Sequence, residues 1–337
     1  MTWPTAEGVF ALGDLALHKG GVLPDAKLVW KTHGTLNAAR DNVVLYPTSY
    51  GAQHPDLEWL IGPDGILDPT RWFIVIPNMF TNGLSSSPSN CAPWPALVTS
   101  WDSVAAQRRL LREVFGVEHL HCVYGWSMGA QQAYHWAAAH PAEVARAVVL
   151  CGSARTAVHN QVFLRTQIAI LEAAPEYDGT ALFSAQPAKT LRAFGRSYAA
   201  WALSQDFYRE NLHLTALGAP DLETFLVRDW EQRFARRPAA DLLAQLRIWD
   251  AGDISDHPNY GGDLPKALSA IEARVLLMPG ETDLYFRVAD NAAELPHLKH
   301  GTLLPIPSIW GHRAGNPQPI AADTAFIKAA VRKLLDT

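Results

Sequence analysis

Residues 121–130 read HCVYGWSMGA, and this segment indicates the fold of the chain more clearly than any other. The apolar run that ends at Tyr124 is typical of a buried strand, and the residues after Ser127 have a helical pattern. Gly-x-Ser-x-Gly between a strand and a helix is the pattern of a nucleophile elbow, a sharp turn that exposes a serine hydroxyl. We therefore predict that Ser127 is a nucleophile and that the Met128 N–H donates to an oxyanion.

A nucleophilic serine needs a base and a carboxylate that orients the base, and in this architecture the chain order is Ser, then Asp or Glu, then His. Asp283 lies in a turn after the apolar run 275–278, and His312 lies in a loop after the last predicted strand. The sequence therefore predicts Asp283 as the acid and His312 as the base, with Glu281 as the alternative carboxylate.

Strand and helix patterns alternate on both sides of residues 121–130. The predicted elements are strands at 9–17, 27–32, 43–46, 72–76, 120–124, 147–151, 275–278 and 302–306, and helices at 103–115, 127–140 and 321–335. This alternation predicts an α/β fold with a mostly parallel sheet covered by helices on both faces. Residues 155–265 have helical patterns alone. We predict that they form a helical cap on a core domain made of residues 1–154 and 266–337, above the sheet edge where open α/β folds bind ligands.

The loop after the strand at 43–46 is expected to complete the oxyanion site. It reads PTSYGAQH at residues 47–54. We predict that the backbone N–H of Ser49 or of Tyr50 is the second oxyanion donor, and the two alternatives stay open at this point. The phenol of Tyr50 could also reach the substrate.

Charge and composition exclude several classes of partner. The 337 residues include 28 Lys and Arg against 33 Asp and Glu, a formal net charge of −5, which provides no basis for binding nucleic acid or an anionic membrane. No apolar run approaches the ~20 residues of a membrane-spanning helix. Without a recognisable secretory signal, we expect a soluble cytoplasmic protein.

The sequence also predicts neither a metal nor a cofactor. Its three cysteines lack metal-type spacing, and no phosphate-binding glycine motif is present. Asp250, Asp253, Asp256 and His257 lie close together in the sequence. Since they lack the spacing of a calcium loop, we expect a solvated turn there.

These residues resemble the homoserine O-acetyltransferase branch of the α/β-hydrolase superfamily, from about residue 17 to the C-terminus, and this resemblance implies an α/β-hydrolase fold with a helical cap insertion. The likeness is most specific at Gly125–Gly129 with the segments AQQA at 130–133 and HP at 140–141, and it is supported by residues 73–78, 82–90, 99–107 and 311–312. By this resemblance Ser127, Asp283 and His312 correspond to the nucleophile, acid and base, and Ser49 to the oxyanion position. Members of that family are commonly dimers, which implies a homodimer through the cap.

Departures from the family pattern concern the recognition of the amino-acid substrate. Trp126 replaces a glycine, and Arg313 follows the base histidine where the family has an acidic residue for the homoserine amine. A cation at that position repels an ammonium group. The family's cap arginine has no clear counterpart, because Arg196 is one residue out of register and Arg165 is no better placed. We predict that Trp126, Tyr50 and Arg313 contact the substrate.

Together these features predict a serine carboxylic-ester hydrolase that acts on small-molecule, short-chain (acetyl-type) esters with an uncharged alcohol portion, like the esterases of this branch. Acetyl transfer from acetyl-CoA to homoserine or another alcohol is the alternative, because it passes through the same acyl-enzyme. A binding protein with an inactive site is a third possibility. The intact serine, aspartate and histidine argue against it.

Overall fold

The structure is a computed structural model and describes residues 2–318 and 320–337. Met1 and Pro319, which fall in the predicted core domain, lie outside the described residues. The strands are β1 (Thr5–Ala16), β2 (Val22–His33), β3 (Val43–Leu45), β4 (Phe73–Pro77), β5 (Cys122–Trp126), β6 (Arg146–Leu150), β7 (Arg274–Met278) and β8 (Gly301–Leu303).

Helices follow or separate most of these strands. They are α1 (Ser100–Phe115), α2 (Met128–Ala139), α3 (Val158–Glu172), α4 (Ala188–Ala202), α5 (Gln205–Arg209), α6 (Leu212–Thr215), α7 (Leu222–Phe225), α8 (Gln232–Ala235), α9 (Ala239–Asp250), α10 (Leu264–Ser269), α11 (Val288–Glu294) and α12 (Ala321–Leu335). A π-helical segment, Leu226–Glu231, joins α7 to α8. None of the helices in the described part of the chain combines the length and apolar character needed to cross a membrane.

The eight strands form one sheet in the order β1-β2-β4-β3-β5-β6-β7-β8. Neighbours from β4 to β8 are parallel, and only the β1–β2 and β2–β4 pairs are antiparallel. The first hairpin is longer than the sequence pattern indicates. Pro24, which falls between the predicted strands at 9–17 and 27–32, lies within β2, beside the register shifts of β1 around Gly13, where a missing N–H is tolerated.

The sheet has a core on each face because successive side chains of a strand point to opposite sides. Val123 and Val149 belong to the core that includes α1 and α2, whereas Tyr124 and Val148 belong to the core that includes α12. The predicted architecture, a mostly parallel sheet covered by helices on both faces, is therefore confirmed.

Helices α3 to α10 lie between β6 and β7 and correspond to the predicted helical cap. We use the name cap for this group of helices. They begin with α3 at Val158 and end with α10, which starts at Leu264. The predicted domain boundaries at 154/155 and 265/266 stay predictions. Contacts between this segment and the loop after β3 bring both to the carboxyl edge of the sheet.

Candidate active site

Ser127 lies between the end of β5 and the start of α2. Its backbone has φ 59° and ψ −127°, a strained conformation for a residue with a side chain. The turn closes only because its neighbours are glycines. A Cβ on Gly125 would lie 2.1 Å from the Gly129 carbonyl oxygen, and a Cβ on Gly129 would lie 2.8 Å from that of Pro47. The structure thus places Ser127 on the elbow that the sequence predicts.

His312 connects the serine hydroxyl to a carboxylate. Its Nε2 lies 2.8 Å from Ser127 Oγ, and its Nδ1 lies 2.7 Å from Asp283 Oδ2. All three residues are buried. The structure therefore brings the three predicted residues together from separate loops after β5, β7 and β8, in an arrangement suited to proton transfer. Their catalytic roles remain predictions.

Backbone amides fix the carboxylate of Asp283. Its Oδ1 accepts hydrogen bonds from the N–H groups of Tyr285 (2.8 Å) and Phe286 (3.3 Å), which leaves Oδ2 for the histidine. Glu281, the alternative carboxylate, is exposed, and its backbone N–H donates to the Ile306 carbonyl. Asp283 rather than Glu281 therefore orients the imidazole. No motif in the sequence predicts these two amide donors.

Trp126, where the resembling family has glycine, supports the base. Its ring stacks on His312 with centroids 5.1 Å apart, and its Nε1 donates to the His312 carbonyl at 3.3 Å. The packing leaves no room at Gly315, where a Cβ would lie 2.6 Å from Trp126 and 2.7 Å from Cys151 Sγ. Trp126 therefore contacts the histidine and also lines the cavity. Its predicted contact with the substrate stays a prediction.

The predicted oxyanion donors lie beside the serine. Met128 is the first residue of α2, where N–H groups have no partner within the helix. Ser49 is buried, and its hydroxyl donates to the Trp126 carbonyl and accepts from the Gly129 N–H, which ties the loop after β3 to the elbow. The phenol of Tyr50 donates to the Leu242 carbonyl of α9 at 3.2 Å and is therefore engaged with the cap. Which of these amides holds an oxyanion stays a prediction.

A cavity of about 400 Å³ opens above Ser127 and His312. Core and cap residues line it together. They include Ser49, Tyr50, Asp56, Trp59, Trp126, Tyr198, Asp229, Trp230, Arg233, Phe234, Arg236, Arg313 and Asn316. The volume suits a small molecule, and the wall combines aromatic rings with charged groups.

The structure separates the predicted arginines. Arg313 lines the cavity and donates to the Gln318 carbonyl at 2.9 Å. Arg196 instead binds the carboxylates of Glu223 and Glu231, and Arg165 is exposed and pairs with Asp250. Neither cap arginine is therefore free to hold a substrate carboxylate. A different cap arginine, Arg233, reaches the cavity, and nothing in its sequence context distinguished it.

One group of potential metal ligands occurs among residues 2–318 and 320–337, and it overlaps the site already described. Cys151, Asp283 and His312 offer ligand atoms within 4.8 Å of one another. His312 Nδ1 and Asp283 Oδ2 form a hydrogen bond with each other, and the Cys151 thiol is buried. These three groups therefore fit a proton relay better than a metal site.

The acidic turn predicted to be solvated is held together by ion pairs. Asp253 pairs with Arg155 at 2.7 Å, and Asp256 pairs with Lys19 at 2.5 Å. These carboxylates are therefore neutralised by separate cations and do not converge on one point.

Comparisons with known proteins agree with this geometry. A model of the alpha/beta hydrolase fold family matches residues 58–307. A probable esterase from Corynebacterium glutamicum is 36% identical over 310 residues, which cover 90% of this chain and 88% of that protein. An ethyl acetate hydrolase from Pseudomonas veronii is 36% identical over 308 residues, covering 89% and 87%.

Solved structures and transferases complete the comparison. The crystal structure of an acetylester hydrolase from Corynebacterium glutamicum superposes with a TM-score of 0.93 at 33% identity, covering 98% of this chain and 96% of that one. A homoserine O-acetyltransferase from Cyclobacterium marinum is 27% identical over 326 residues, covering 92% and 91%. Similarity to the esterases is thus higher than to this transferase.

Proposed function

Because the chain belongs to the alpha/beta hydrolase fold family, in the branch that includes homoserine O-acetyltransferases and short-chain esterases, we propose that it is a serine carboxylic-ester hydrolase for acetyl-type esters. The observation that carries the proposal is the hydrogen-bonded series Ser127–His312–Asp283 at the floor of a small cavity. The names of the 36%-identical relatives, an esterase and an ethyl acetate hydrolase, support the choice of substrate class.

Acylation begins when His312 Nε2 accepts the proton of Ser127 Oγ, 2.8 Å away, as the oxygen attacks the ester carbonyl. The negative charge moves to the carbonyl oxygen, and we propose that the backbone amides of Met128 and Ser49 donate to it. The imidazolium then gives its proton to the alcohol oxygen as the ester bond breaks. The alcohol leaves, and the acyl group stays on Ser127.

Deacylation repeats the sequence with water. His312 accepts a proton from a water molecule, which attacks the acyl carbonyl, and the histidine returns the proton to Ser127 as the acid leaves. The net reaction consumes one ester and one water and yields one acid and one alcohol. Asp283 orients the imidazole and stabilises the imidazolium in both steps.

Acetyl transfer to homoserine is the alternative fate of the acyl-enzyme, and two observations disfavour it. Arg313, a cation, lines the cavity beside the base, where it repels an amino group. Arg196, the nearest counterpart of the family's cap arginine, is bound to two glutamates. Water is therefore the expected acceptor.

The experiment compares both reactions on purified protein. We expect rapid hydrolysis of p-nitrophenyl acetate, and no homoserine-dependent release of CoA from acetyl-CoA. Ser127→Ala should abolish hydrolysis and labelling by a fluorophosphonate. Homoserine-dependent CoA release without ester turnover would instead establish the transferase, and an unlabelled wild-type protein would indicate an inactive site.

The proposal extends to the oligomeric state of the protein and to its location in the cell. We propose a homodimer through the cap, and the exposed apolar side chains of Val158 and Val162 on α3 support this. Light scattering after size exclusion should give a dimer mass, and Val158→Asp with Val162→Asp should give a monomer. A monomeric wild type would refute the dimer. The cytoplasmic location also stays a prediction, and cell fractionation would test it.

A further inference from the structure

Two arginines from separate parts of the chain line the cavity that contains Ser127. Arg233 comes from α8 in the cap, and Arg313 follows the base histidine in the core. The Arg233 side chain is exposed, whereas Arg313 is half-buried. Since the mechanism above uses neither cation, their presence over the nucleophile needs its own explanation.

The carboxylates nearby are engaged with other cations. Asp229 lines the same cavity but pairs with Arg228 at 2.8 Å. In a regular α-helix, residues 229 and 233 would be neighbours on one face, but Asp229 belongs to the π-helical segment, which alters that spacing. Within the described part of the chain, neither Arg233 nor Arg313 forms an ion pair.

A third arginine of the cavity has a carboxylate partner. Arg236 pairs with Asp56 at 3.0 Å, and the same carboxylate also accepts from Arg237 at 2.7 Å. Among the described arginines of the cavity wall, Arg233 and Arg313 are therefore the two that form no ion pair. Arg236 provides a matched control, because it lines the same cavity but is held by a carboxylate.

Arg233 and Arg313 repel each other. Burial, followed by repulsion from Arg233, lowers the pKa of Arg313 to about 10, and Asp229 acts in the opposite direction. An arginine side chain carries its charge at neutral pH, so an anion bound by both groups would relieve the repulsion.

We propose that Arg233 and Arg313 form an anion-binding subsite that selects acetyl esters whose alcohol portion carries a carboxylate. The inference rests on the proposed esterase function and deepens it. The carboxylate belongs on the alcohol side because an acetyl group has no place for it. This subsite replaces the uncharged alcohol expected from the sequence, and it excludes alcohols that carry an ammonium group, because no free carboxylate faces them.

The first test uses the wild-type enzyme and three acetyl esters of similar length. They are 4-acetoxybutanoate (anionic), 4-acetoxybutanamide (neutral) and acetylcholine (cationic). We expect kcat/KM to be about 10-fold to 100-fold higher for the anion than for the amide, and lowest for the cation. Adding NaCl to about 0.5 M shortens the Debye length to about 4 Å and should reduce the preference for the anion.

The second test measures the ratio of kcat/KM for 4-acetoxybutanoate to that for 4-acetoxybutanamide in variants. We expect Arg233→Gln and Arg313→Gln each to lower the ratio about 10-fold, Arg233→Lys to restore part of it, and Arg236→Gln to preserve it. Equal rates for the anion and the amide in the wild type, or an equal ratio in all variants, would overturn the subsite.

The two proposals fail in different ways. If the esterase function is wrong, none of the three esters is hydrolysed. If only the subsite is wrong, all three are hydrolysed without regard to charge. The wild-type comparison needs no substitution, so it decides the matter even if a variant does not fold.

Discussion

Asp283 shows how a single carboxylate is prepared for one partner. Two backbone N–H groups hold Oδ1, and the imidazole of His312 holds Oδ2. The histidine is then fixed with Nε2 toward Ser127, and Trp126 stacks on its ring. Each of these contacts fixes the orientation of the next side chain, so the three groups are already aligned for proton transfer.

Replacing Asp283 by Asn should therefore lower kcat for p-nitrophenyl acetate about 10⁴-fold, because the amide can favour the wrong imidazole tautomer and cannot stabilise the imidazolium. Glu281→Gln is the matched control, since this exposed side chain lies two residues away in the same turn. Its kcat should stay within about twofold of the wild-type value. A larger loss in Glu281→Gln than in Asp283→Asn would show that the acid has been assigned wrongly.

Much of this site could be predicted from the sequence, because local patterns determine it. Gly125 and Gly129 mark the elbow, and the chain order of Ser127, Asp283 and His312 follows the strands. Arg233 could not be predicted. Its importance depends on Asp229 pairing elsewhere, which is a property of the folded cap and not of any motif.

At the scale of elements, α9 holds the loop that carries the predicted oxyanion donors. Gln245 Oε1 accepts from the Gly51 N–H at 2.7 Å, and Gln245 Nε2 donates to the Thr81 carbonyl at 2.6 Å. The Gln245 side chain is buried. One cap side chain thus joins the loops after β3 and β4, next to Ser49.

Gln245→Leu should weaken both stability and catalysis, because it leaves two backbone groups without partners. We expect the free energy of unfolding to fall by about 2 kcal/mol or more. We expect kcat to fall about 10-fold as Ser49 loses its position.

Gln167→Leu is the control for this variant. Gln167 is also a buried cap glutamine, but it donates to Ser197 Oγ on α4, away from the loop. It should lose stability in urea unfolding with kcat unchanged. If both variants affect kcat equally, α9 has no particular role in positioning the loop.

The elements of the core were easier to predict than those of the cap. Apolar strands such as β5 and β6 have a pattern that stands out, and α2 begins directly after the elbow. The cap contains helices of four residues, α6, α7 and α8, and a π-helical segment, which are too short or too irregular for a periodic pattern. Packing between helices determines these segments.

At the scale of the whole molecule, Glu294 on α11 is hydrogen-bonded to α2 and to the segment that leads from β6 toward the cap. Its carboxylate accepts from the Ala154 N–H (2.7 Å), the Tyr134 hydroxyl (2.8 Å) and the Asn291 amide (2.9 Å). Burial raises the pKa of Glu294 to about 7, and the three hydrogen bonds act in the opposite direction. The folded protein therefore binds this proton more tightly than the unfolded chain does.

Stability should consequently depend on pH in one direction. A carboxyl pKa raised on folding contributes stability below the unfolded value of about 4.5, and this contribution is lost as the pH rises to about 7. The loss amounts to roughly 3 kcal/mol. Urea unfolding at pH 5 and pH 7.5 should show this decrease in the wild type and a smaller decrease in Glu294→Gln. An equal decrease in the free energy of unfolding in the two proteins would contradict the assignment to Glu294.

In the proposed mechanism, Ser127 alone carries the acyl group between the ester and water. The most direct measurement stops the reaction with p-nitrophenyl acetate by acid within its first turnovers and maps the modified peptides by mass spectrometry. We predict one acetyl group on Ser127, and none in Ser127→Ala. Hydrolysis that proceeds with no acetyl group on Ser127, or with the group on another residue, would contradict the account.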